Sequence, residues 1–514
     1  MNTSNRSGSA STVPRASTFA DVAARRLPPH ADSAPIPPRR RVRFTFDGRA
    51  CEGIEGEPLA VAMLAADRLI LSRSFRFHRP RGLMCDTGQC GWCECEVDGR
   101  PSVRSCQVPV REGLVARSEH AWPTVERDLL GWLDLASRLI PPTFYHHRFL
   151  RPRRLRKRYL DVIRGFGGRG RLPVGRAVGE ARGRVIQEVQ TDVLVVGGGP
   201  SGSAAASAAA EGGERVVLVE AVVGRARPSH AAVRVLGGAA ALGWYDGVVT
   251  AIDDATLWTI RAGSVIAATG SYERVPAVRG ADRPGVIGAG RAHDLVTRHR
   301  VLPGERALLA GEVRDLTEVG AALVEAGATV IGPVPTASLR RVLGRRRVTG
   351  AIVDVDGRHR TERVDVLVFG DRTPNPDLVL AAGAAVETRD GVLVPVLDEA
   401  GRTTVPNLSV VGSAARRTTA PGPAPAGRTL VCFCEDVHAD EIHGQVAAGY
   451  GDPELVKRRT GALTGPCQGK YCAQAFACAM AEVGAPTDGL PTARPPLRPV
   501  RLGDIVPSAE PAER

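Results

Sequence analysis

Residues 191–202 read Thr191-Asp-Val-Leu-Val-Val-Gly-Gly-Gly-Pro-Ser-Gly202. The apolar run before the glycines predicts a buried strand, and the alanine-rich stretch after them predicts a helix. A second apolar run, at 215–219, ends in Glu220. Strand, glycine loop, helix, strand and acid in this order are typical of a dinucleotide-binding α/β unit, although a plain glycine turn is the alternative. The expected nucleotide contacts are Gly197, Gly198, Gly199, Pro200, Ser201, Gly202 and Glu220.

Two later segments bear on which nucleotide is bound, because an acid at the ribose fits either FAD or NAD. Val-Ile-Ala-Ala-Thr-Gly at 265–270 predicts a strand that ends in the Ala-Thr-Gly turn of flavoproteins with two dinucleotide domains. Residues 405–413 resemble the strand that meets the ribityl chain in such flavoproteins, with a serine where aspartate is common. We therefore expect FAD, with further contacts from Thr269, Gly270, Gly412 and Ser413.

A second α/β lobe is predicted at 306–332, where strand, helix and strand follow one another. Its loop keeps one glycine, Gly311, and the next residue, Glu312, would repel a phosphate. We expect this lobe to keep its fold and to bind NAD(P) poorly or not at all. The core has no Cys-x-x-Cys pair, which argues against a disulfide reductase.

Four cysteines precede the core with the spacing of a plant-type ferredoxin loop, which predicts a [2Fe–2S] cluster. Gly88 and Gly91 let backbone N–H groups turn toward the sulfurs, while Cys51 and Cys95 are expected to be ordinary core residues. The arginines at 74–82 would favour a reduced cluster, or would form only a basic surface loop. Structural zinc is the alternative metal. The expected ligands are Cys85, Cys90, Cys93 and Cys106.

A second quartet follows the core as a Cys-x-Cys pair and a Cys-x4-Cys pair. Two ligand pairs on two loops bridged by helices suit a small helical [2Fe–2S] domain, with zinc again the alternative. Cys478 is expected to pack rather than to bind. Because the quartets flank the glycine loop in sequence, we predict a relay in the order cluster, flavin, cluster. The expected ligands are Cys432, Cys434, Cys467 and Cys472.

The net charge of +13 raises the question of nucleic-acid binding. The excess arginine and lysine lies in short bursts without interleaved aromatics, so we favour solvated faces and a docking surface for an acidic partner. The clustered cysteines, with no signal peptide and no apolar run of about 18 residues, predict reduced thiolates in the cytoplasm and no transmembrane segment. Contact with the membrane would be peripheral, through the electron acceptor.

These patterns divide the chain into six parts. The predicted fold class is α/β, with a two-lobed FAD/NAD(P)-binding Rossmann-type core, an N-terminal α+β ferredoxin-like domain and a small helical C-terminal domain. The expected divisions are a disordered tail (1–40), a 2Fe–2S domain (41–120), a basic connector (121–189), the nucleotide-binding core (190–419), a second 2Fe–2S domain (428–484) and a disordered tail (485–514).

Several motifs resemble one known family. His78-Arg-Pro-Arg-Gly82, Gly243-Trp-Tyr245, Ala268-Thr-Gly270 and Asp282-Arg-Pro-Gly-Val286 are similar to the alpha subunit of heterotetrameric sarcosine oxidase. The second quartet resembles the bacterioferritin-associated-ferredoxin-like (BFD-like) domain in related subunits of opine oxidases, D-hydroxyproline dehydrogenases and hydrogen cyanide synthase. The folate-binding half of sarcosine oxidase alpha is absent, and the segment 220–268 is short for the family.

The resemblance implies FAD in the core and a separate catalytic subunit of the D-amino-acid-oxidase type. We therefore expect an electron-transfer subunit of a heteromeric dehydrogenase or oxidase acting on CH–NH donors of the sarcosine, opine or D-hydroxyproline type. We expect a downstream electron acceptor, and no residue here is predicted to be the catalytic acid or base. The alternatives are a stand-alone NAD(P)H-dependent ferredoxin-type reductase and a cluster-bearing scaffold without flavin.

Overall fold

The fold is taken from a computed structural model that describes residues 25–28, 40–142, 144, 152–167, 183–389, 392–416, 424–487 and 495–505. Two small cysteine-containing domains pack against a two-lobed α/β core. None of the helices in these ranges combines the length and apolarity needed to cross a bilayer. The helices are α1 (Leu59–Ala65), α2 (Arg153–Gly167), α3 (Pro200–Glu211), α4 (Ala289–Thr297), α5 (Val313–Glu325), α6 (Asp377–Ala381), α7 (Ala439–Ala447), α8 (Pro453–Thr460) and α9 (Ala473–Glu482).

The N-terminal domain is built on a five-stranded sheet of order β2-β1-β7-β5-β6. In its first strand Val42, Phe44 and Phe46 are buried, as the period-2 alternation predicts, and Asp47 and Gly48 turn with positive φ into the next strand. The strands are β1 (Arg41–Phe46), β2 (Arg49–Ile54), β3 (Ser72–Arg73), β4 (Pro80–Arg81), β5 (Glu94–Val97), β6 (Arg100–Arg104) and β7 (Val115–Arg117).

The first lobe of the core is a sheet of order β10-β9-β8-β13-β12-β11, with β25 paired to β13. Strands β8, β9, β10, β13 and β25 are parallel, and α3 connects β8 to β9 as the glycine motif predicts. The strands are β8 (Val185–Val196), β9 (Val216–Glu220), β10 (Arg234–Gly237), β11 (Ala240–Tyr245), β12 (Val248–Ile252), β13 (Thr256–Ala267) and β25 (Leu408–Val410).

The second lobe is a parallel sheet of order β15-β21-β16-β17, followed by short antiparallel pairs and a three-stranded sheet β18-β19-β20. The predicted two-lobed Rossmann-type core is confirmed. Its strands are β14 (Ser271–Glu273), β15 (Val286–Gly288), β16 (Arg306–Ala310), β17 (Thr329–Val334), β18 (Leu339–Leu343), β19 (Gly350–Val355), β20 (Arg358–Glu362), β21 (Val366–Phe369), β22 (Arg372–Pro374), β23 (Val386–Arg389) and β24 (Val392–Pro395).

The C-terminal domain is helical between its cysteine pairs, as expected. A short pair of strands, β26 (Leu430–Cys432) and β27 (Val437–His438), precedes α7, α8 and α9. Helix α8 shows the local signals that set its ends. The Asp452 side chain accepts from the backbone N of Leu455, Pro453 occupies the first turn, and Gly461 ends the helix with φ of +76°.

A buried carboxylate joins the two cysteine-containing domains. Asp436 is fully buried, and its Oδ1 accepts from Nη2 of Arg81 at 2.6 Å. Its Oδ2 accepts from the backbone N of Arg76 and of Phe77, each at 3.2 Å. The Trp92 and Phe433 rings pack edge to face beside this network, with centroids 5.1 Å apart. The two domains therefore share one interior with the second lobe.

Three regions differ from the sequence-based expectation. The stretch at 125–140 forms 3₁₀ turns, Leu129–Asp134 and Ser137–Leu139, instead of an α-helix, because buried arginines bind its backbone carbonyls. Within the expected disordered tails, residues 25–28 bind the core through the Arg26–Glu57 ion pair, and residues 495–505 pack on β11. The rest of both tails, the glycine-rich part of the connector (168–182) and the start of the Pro/Gly/Ala hinge (417–423) lie outside the described residues.

Asp436→Ala is expected to lower the free energy of unfolding by about 3–5 kcal/mol, because it leaves the buried guanidinium of Arg81 without its carboxylate. Chemical denaturation of the holoprotein measures the change. Glu387→Ala is the matched control, since its ion pair with Arg389 is partly exposed and should contribute no more than about 1 kcal/mol. Equal losses from the two substitutions would show that the buried carboxylate does not hold the domains together.

Candidate functional site

The first cysteine quartet lies on the loop between β4 and β5 and in the 3₁₀ turn after β6. All four cysteines are buried. The thiols of Cys85 and Cys90 form one hydrogen-bonded pair, and those of Cys93 and Cys106 form the other. The hydrogen bond from Cys90 lowers the pKa of Cys85 to about 5, while burial raises the pKa of Cys90. The predicted set is thus brought together as two pairs.

The arginines before this quartet are not a basic surface loop, because they are buried. Arg79 and Arg81 instead form ion pairs with Asp282 at 3.2 Å and 3.7 Å. The residue that contacts the quartet loop is Arg291 on α4, whose Nε donates to the carbonyl O of Cys85 at 2.8 Å. Burial would lower the pKa of Arg291, but the neighbouring thiols and carboxylates raise it. Sequence reasoning missed Arg291, which lies some 200 positions away.

The second quartet brings Cys432 and Cys434, from the β26–β27 turn, against the loop that precedes α9. The thiols of Cys434 and Cys467 are hydrogen bonded, as are those of Cys432 and Cys472. Gly465 makes this approach possible, since a Cβ there would lie 2.2 Å from the Cβ of Cys434. All four cysteines of this quartet are buried as well.

The metal preference of these thiols bears on the zinc alternative. In the part of the chain that the structure describes, no group of three or more His, Cys, Asp or Glu side chains has the geometry to hold a metal ion. The thiols stand in pairs. Two pairs of thiolates are what the two irons of a [2Fe–2S] rhombus need.

The quartets lie side by side. The Sγ of Cys434 donates to the carbonyl O of Cys90 at 3.6 Å, and the hydroxyls of Thr87 and Tyr471 are 2.6 Å apart. The order quartet, nucleotide loop, quartet in the sequence therefore does not carry over to space. A relay in which the flavin lies between the clusters does not fit this arrangement.

A cavity of about 290 Å³ extends from the glycine loop to the first quartet loop. Glu220 lines one end, where its carboxylate accepts from the backbone N of Gly198 and of Val222, each at 2.7 Å. Asp86, Thr87, Gln89 and Gln107 line the other end. Thr269 and Gly270 line the cavity between them. One enclosed space thus joins the nucleotide motif to the first quartet.

The glycines of the loop serve different purposes. A Cβ at Gly197 would lie 2.2 Å from the carbonyl O of Ala268, and one at Gly202 would lie 1.9 Å from the carbonyl O of Gly197, so both positions are closed by the protein itself. Gly199 has no atom within 4 Å of its Cβ position and lines the cavity. Space at that position suits a pyrophosphate at the N-terminus of α3.

Other expected contacts lie behind the loop. Pro200 and Ser201 form the first turn of α3, and the Cβ position of Gly412 is 2.6 Å from the Oγ of Ser201. The Oγ of Ser413 is 3.9 Å from the Cβ position of Gly270. These four residues border the glycine loop and the Ala-Thr-Gly turn without lining the cavity.

Two cavity residues come from the tail that the sequence predicts to be disordered. The backbone N of Leu497 donates to the carbonyl O of Leu242 at 2.7 Å, which brings Arg498 into the cavity wall. Nη2 of Arg498 lies 3.4 Å from Oε1 of Gln107, next to the first quartet. Burial and the nearby Arg104 lower the pKa of Arg498. No local motif marks this arginine.

The second lobe carries a carboxylate where its loop would meet a phosphate. Oδ1 of Asp371 accepts from the backbone N of Glu312 at 3.1 Å, and its Oδ2 accepts from Arg274 at 2.5 Å. The N-terminus of α5 therefore already faces an acid. Weak binding of NAD(P) by this lobe remains a prediction.

Comparisons with known proteins agree with the motifs. The family "2Fe-2S iron-sulfur cluster binding domain" matches residues 39–121, and the family "Sarcosine oxidase A3 domain" matches residues 426–508. The alpha subunit of sarcosine oxidase from Rhizobium meliloti (strain 1021) is 29% identical over 90% of this chain and 57% of its own length. An opine oxidase subunit from the same organism is 37% identical over 18% of this chain and 21% of its own length.

A solved structure extends the likeness to the fold. L-proline dehydrogenase from P. horikoshii superposes with a TM-score of 0.67 at 21% identity, covering 91% of this chain and 98% of that one. The chain spans little more than half the length of the sarcosine oxidase subunit. It is a relative of the sarcosine oxidase and opine oxidase alpha-type subunits, with a 2Fe–2S domain before its two-lobed core and a sarcosine oxidase A3 domain after it.

Proposed function

We propose that the chain is the electron-transfer subunit of a heteromeric dehydrogenase or oxidase acting on an amine or amino acid of the sarcosine, opine or D-hydroxyproline type. One observation supports this most strongly. A single cavity runs from the nucleotide motif to the first quartet loop, and the second quartet contacts that loop. Three sites in this order suit passage of electrons through the protein.

FAD is the proposed nucleotide. Glu220 would accept from the ribose hydroxyls, the N-terminus of α3 would face the pyrophosphate, and Gly199 leaves space for it. Thr269, Gly270 and the Gly412–Ser413 turn would border the rest of the molecule. When bound, FAD accepts electrons in pairs, whereas a [2Fe–2S] cluster passes them singly.

Two [2Fe–2S] clusters are proposed, one in each quartet. The thiols stand in pairs within buried loops, which suits two irons and excludes water from them. Arg291 would stabilise the charge of the first cluster, because it is buried beside the Cys85 carbonyl. The ligands would be Cys85, Cys90, Cys93 and Cys106, and Cys432, Cys434, Cys467 and Cys472.

Oxidation of the substrate is assigned to a partner. We give no residue of this chain the role of acid or base, and we place that chemistry on a D-amino-acid-oxidase-type flavoprotein subunit. A stand-alone NAD(P)H-dependent reductase fits less well, because Asp371 takes the place of a phosphate in the second lobe. A cytoplasmic location with a separate electron acceptor completes the proposal.

Cys93→Ala and Cys467→Ala are each expected to lower bound iron from about four to about two atoms per chain, because each removes a ligand from a different cluster. Elemental analysis and low-temperature paramagnetic resonance of anaerobically prepared, dithionite-reduced protein measure the loss. Cys478→Ala, outside both quartets, should retain all the iron. Zinc in place of iron in the wild type would refute the cluster assignment.

Gly199→Val is expected to lower bound FAD at least about tenfold, because the side chain would fill the space proposed for the pyrophosphate. The backbone at Gly199, with φ of −64° and ψ of −177°, accepts any L-residue, so the apoprotein should keep its thermal midpoint. Gly237→Val, at an exposed end of β10, is the control. Absorbance of released flavin gives the content. Wild-type protein without flavin would favour the scaffold alternative.

Arg498→Gln is expected to lower the midpoint potential of the bound flavin by about 30 mV, since a cation in the cavity wall favours the reduced, more negative form. Arg498→Lys should restore most of the shift. Spectroelectrochemical titration reads the potential directly. Arg501→Gln changes an arginine of the same segment that pairs with Asp504 and should have no effect. A potential unchanged in Arg498→Gln would remove this residue from the site.

A further inference from the structure

A row of large apolar side chains is exposed on the connector between the first cysteine-containing domain and the core. We name residues 122–140 the strap. Such residues scattered singly are normal on a protein surface, whereas a contiguous set marks an interaction site. The exposed fractions in the strap are 57% for Trp122, 59% for Leu129, 56% for Trp132, 84% for Leu135 and 76% for Leu139.

The geometry of the strap puts these side chains together. A 3₁₀-helix has three residues per turn, so Leu129, Trp132 and Leu135 lie above one another on one face. The backbone N of Leu129 donates to the carbonyl O of Trp122 at 2.7 Å, which brings the first tryptophan beside them. The result is one apolar ridge rather than separate residues.

The inner side of the strap is held by buried polar groups, so the ridge cannot turn inward. Arg73 donates to the carbonyl O of Val125 through Nε at 2.9 Å and Nη2 at 2.6 Å. Nε of Arg76 donates to the carbonyl O of Ile140 at 3.1 Å. Nδ1 of His78 lies 2.9 Å from Oδ2 of Asp128. Turning the ridge over would break all of these bonds.

The strap also touches both cysteine-containing domains. Its inner contacts come from Arg73, Arg76 and His78 of the first domain, while Arg428 of the second donates to the Ser137 hydroxyl. The ridge therefore lies over the seam where the two quartets meet. A protein bound there would be placed beside the buried redox region.

Positive charge follows the ridge. Tyr159 of α2 donates to the carbonyl O of Phe144 at 3.2 Å, and the Phe144 ring stacks on Phe75 at 5.7 Å, which ties α2 to the end of the strap. On α2 the side chains of three cations are exposed. They are Arg154, Lys157 and Arg158.

We infer that the strap and α2 form the docking surface for the substrate-oxidising subunit, whose own face would be apolar with a rim of carboxylates. This inference rests on the proposed function. A second copy of the chain is disfavoured, because an isologous contact would bring like-charged helices together. A lipid surface is disfavoured because the strap itself mixes Glu126 and Asp134 with Arg127 and Arg138, whereas anionic lipid selects clusters of cations.

The test uses the full holoprotein and the D-amino-acid-oxidase-type flavoprotein subunit encoded with it. Trp132→Glu/Leu135→Glu is expected to weaken the complex by about 100-fold, as burying two carboxylates in an apolar contact would. Reversal of Arg154, Lys157 and Arg158 to glutamate should slow association about tenfold at low salt. Val324→Glu, an equally exposed apolar site on α5, is the control. Iron and flavin contents should be unchanged in every variant.

Biosensor binding and sedimentation give the affinities and masses. A strap variant that binds the subunit like the wild type would overturn the inference and leave the proposed function standing. A wild-type chain that dimerises through the strap, or that floats with phosphatidylcholine/phosphatidylglycerol vesicles only when the ridge is intact, would also overturn it. A wild type that binds no such subunit would refute the proposed function and this inference together.

Discussion

The buried carboxylate of Asp436 is the constraint on which the site depends. It joins a loop of the second cysteine-containing domain to Arg81 and to backbone N–H groups of the first, some 350 positions earlier in the chain. A fully buried charge is tolerated only when it is paired and hydrogen bonded, so this contact permits one relative placement of the two loops. That placement puts the quartets in direct contact and lets one hydrophobic interior run through both domains and the second lobe.

The motifs that suggested a family resemblance meet at this same point. Arg79 and Arg81 come from the arginine-rich segment before the first quartet, Asp282 from the core, and Asp436 from the second quartet motif. Burial would raise the pKa of Asp282, but the three arginines around it lower the pKa well below its usual range. These residues therefore build the frame that holds the cysteine loops, while a different arginine, Arg291, stands next to the thiols.

The arrangement also explains how a chain without an evident acid or base could act in oxidation. Its cavity reaches the first quartet, the second quartet lies directly beyond, and the apolar ridge of the strap lies over the seam between the two domains. Fixed cations at Arg291 and Arg498 border the same region, where they would favour added negative charge. Protein architecture of this kind positions and insulates redox groups and leaves bond-breaking to a partner.

Features set by neighbours in the chain were determined by the sequence. The glycine loop, the hairpin at Asp47 and Gly48, the ends of α8 and the spacing of each quartet follow from contacts within a few residues, where local conformation and ligand reach decide. Only the tertiary structure decided which loops touch. The adjacency of the quartets, the entry of Arg498 into the cavity and the 3₁₀ path of the strap depend on groups far apart in sequence, and spacing carries no information about such contacts.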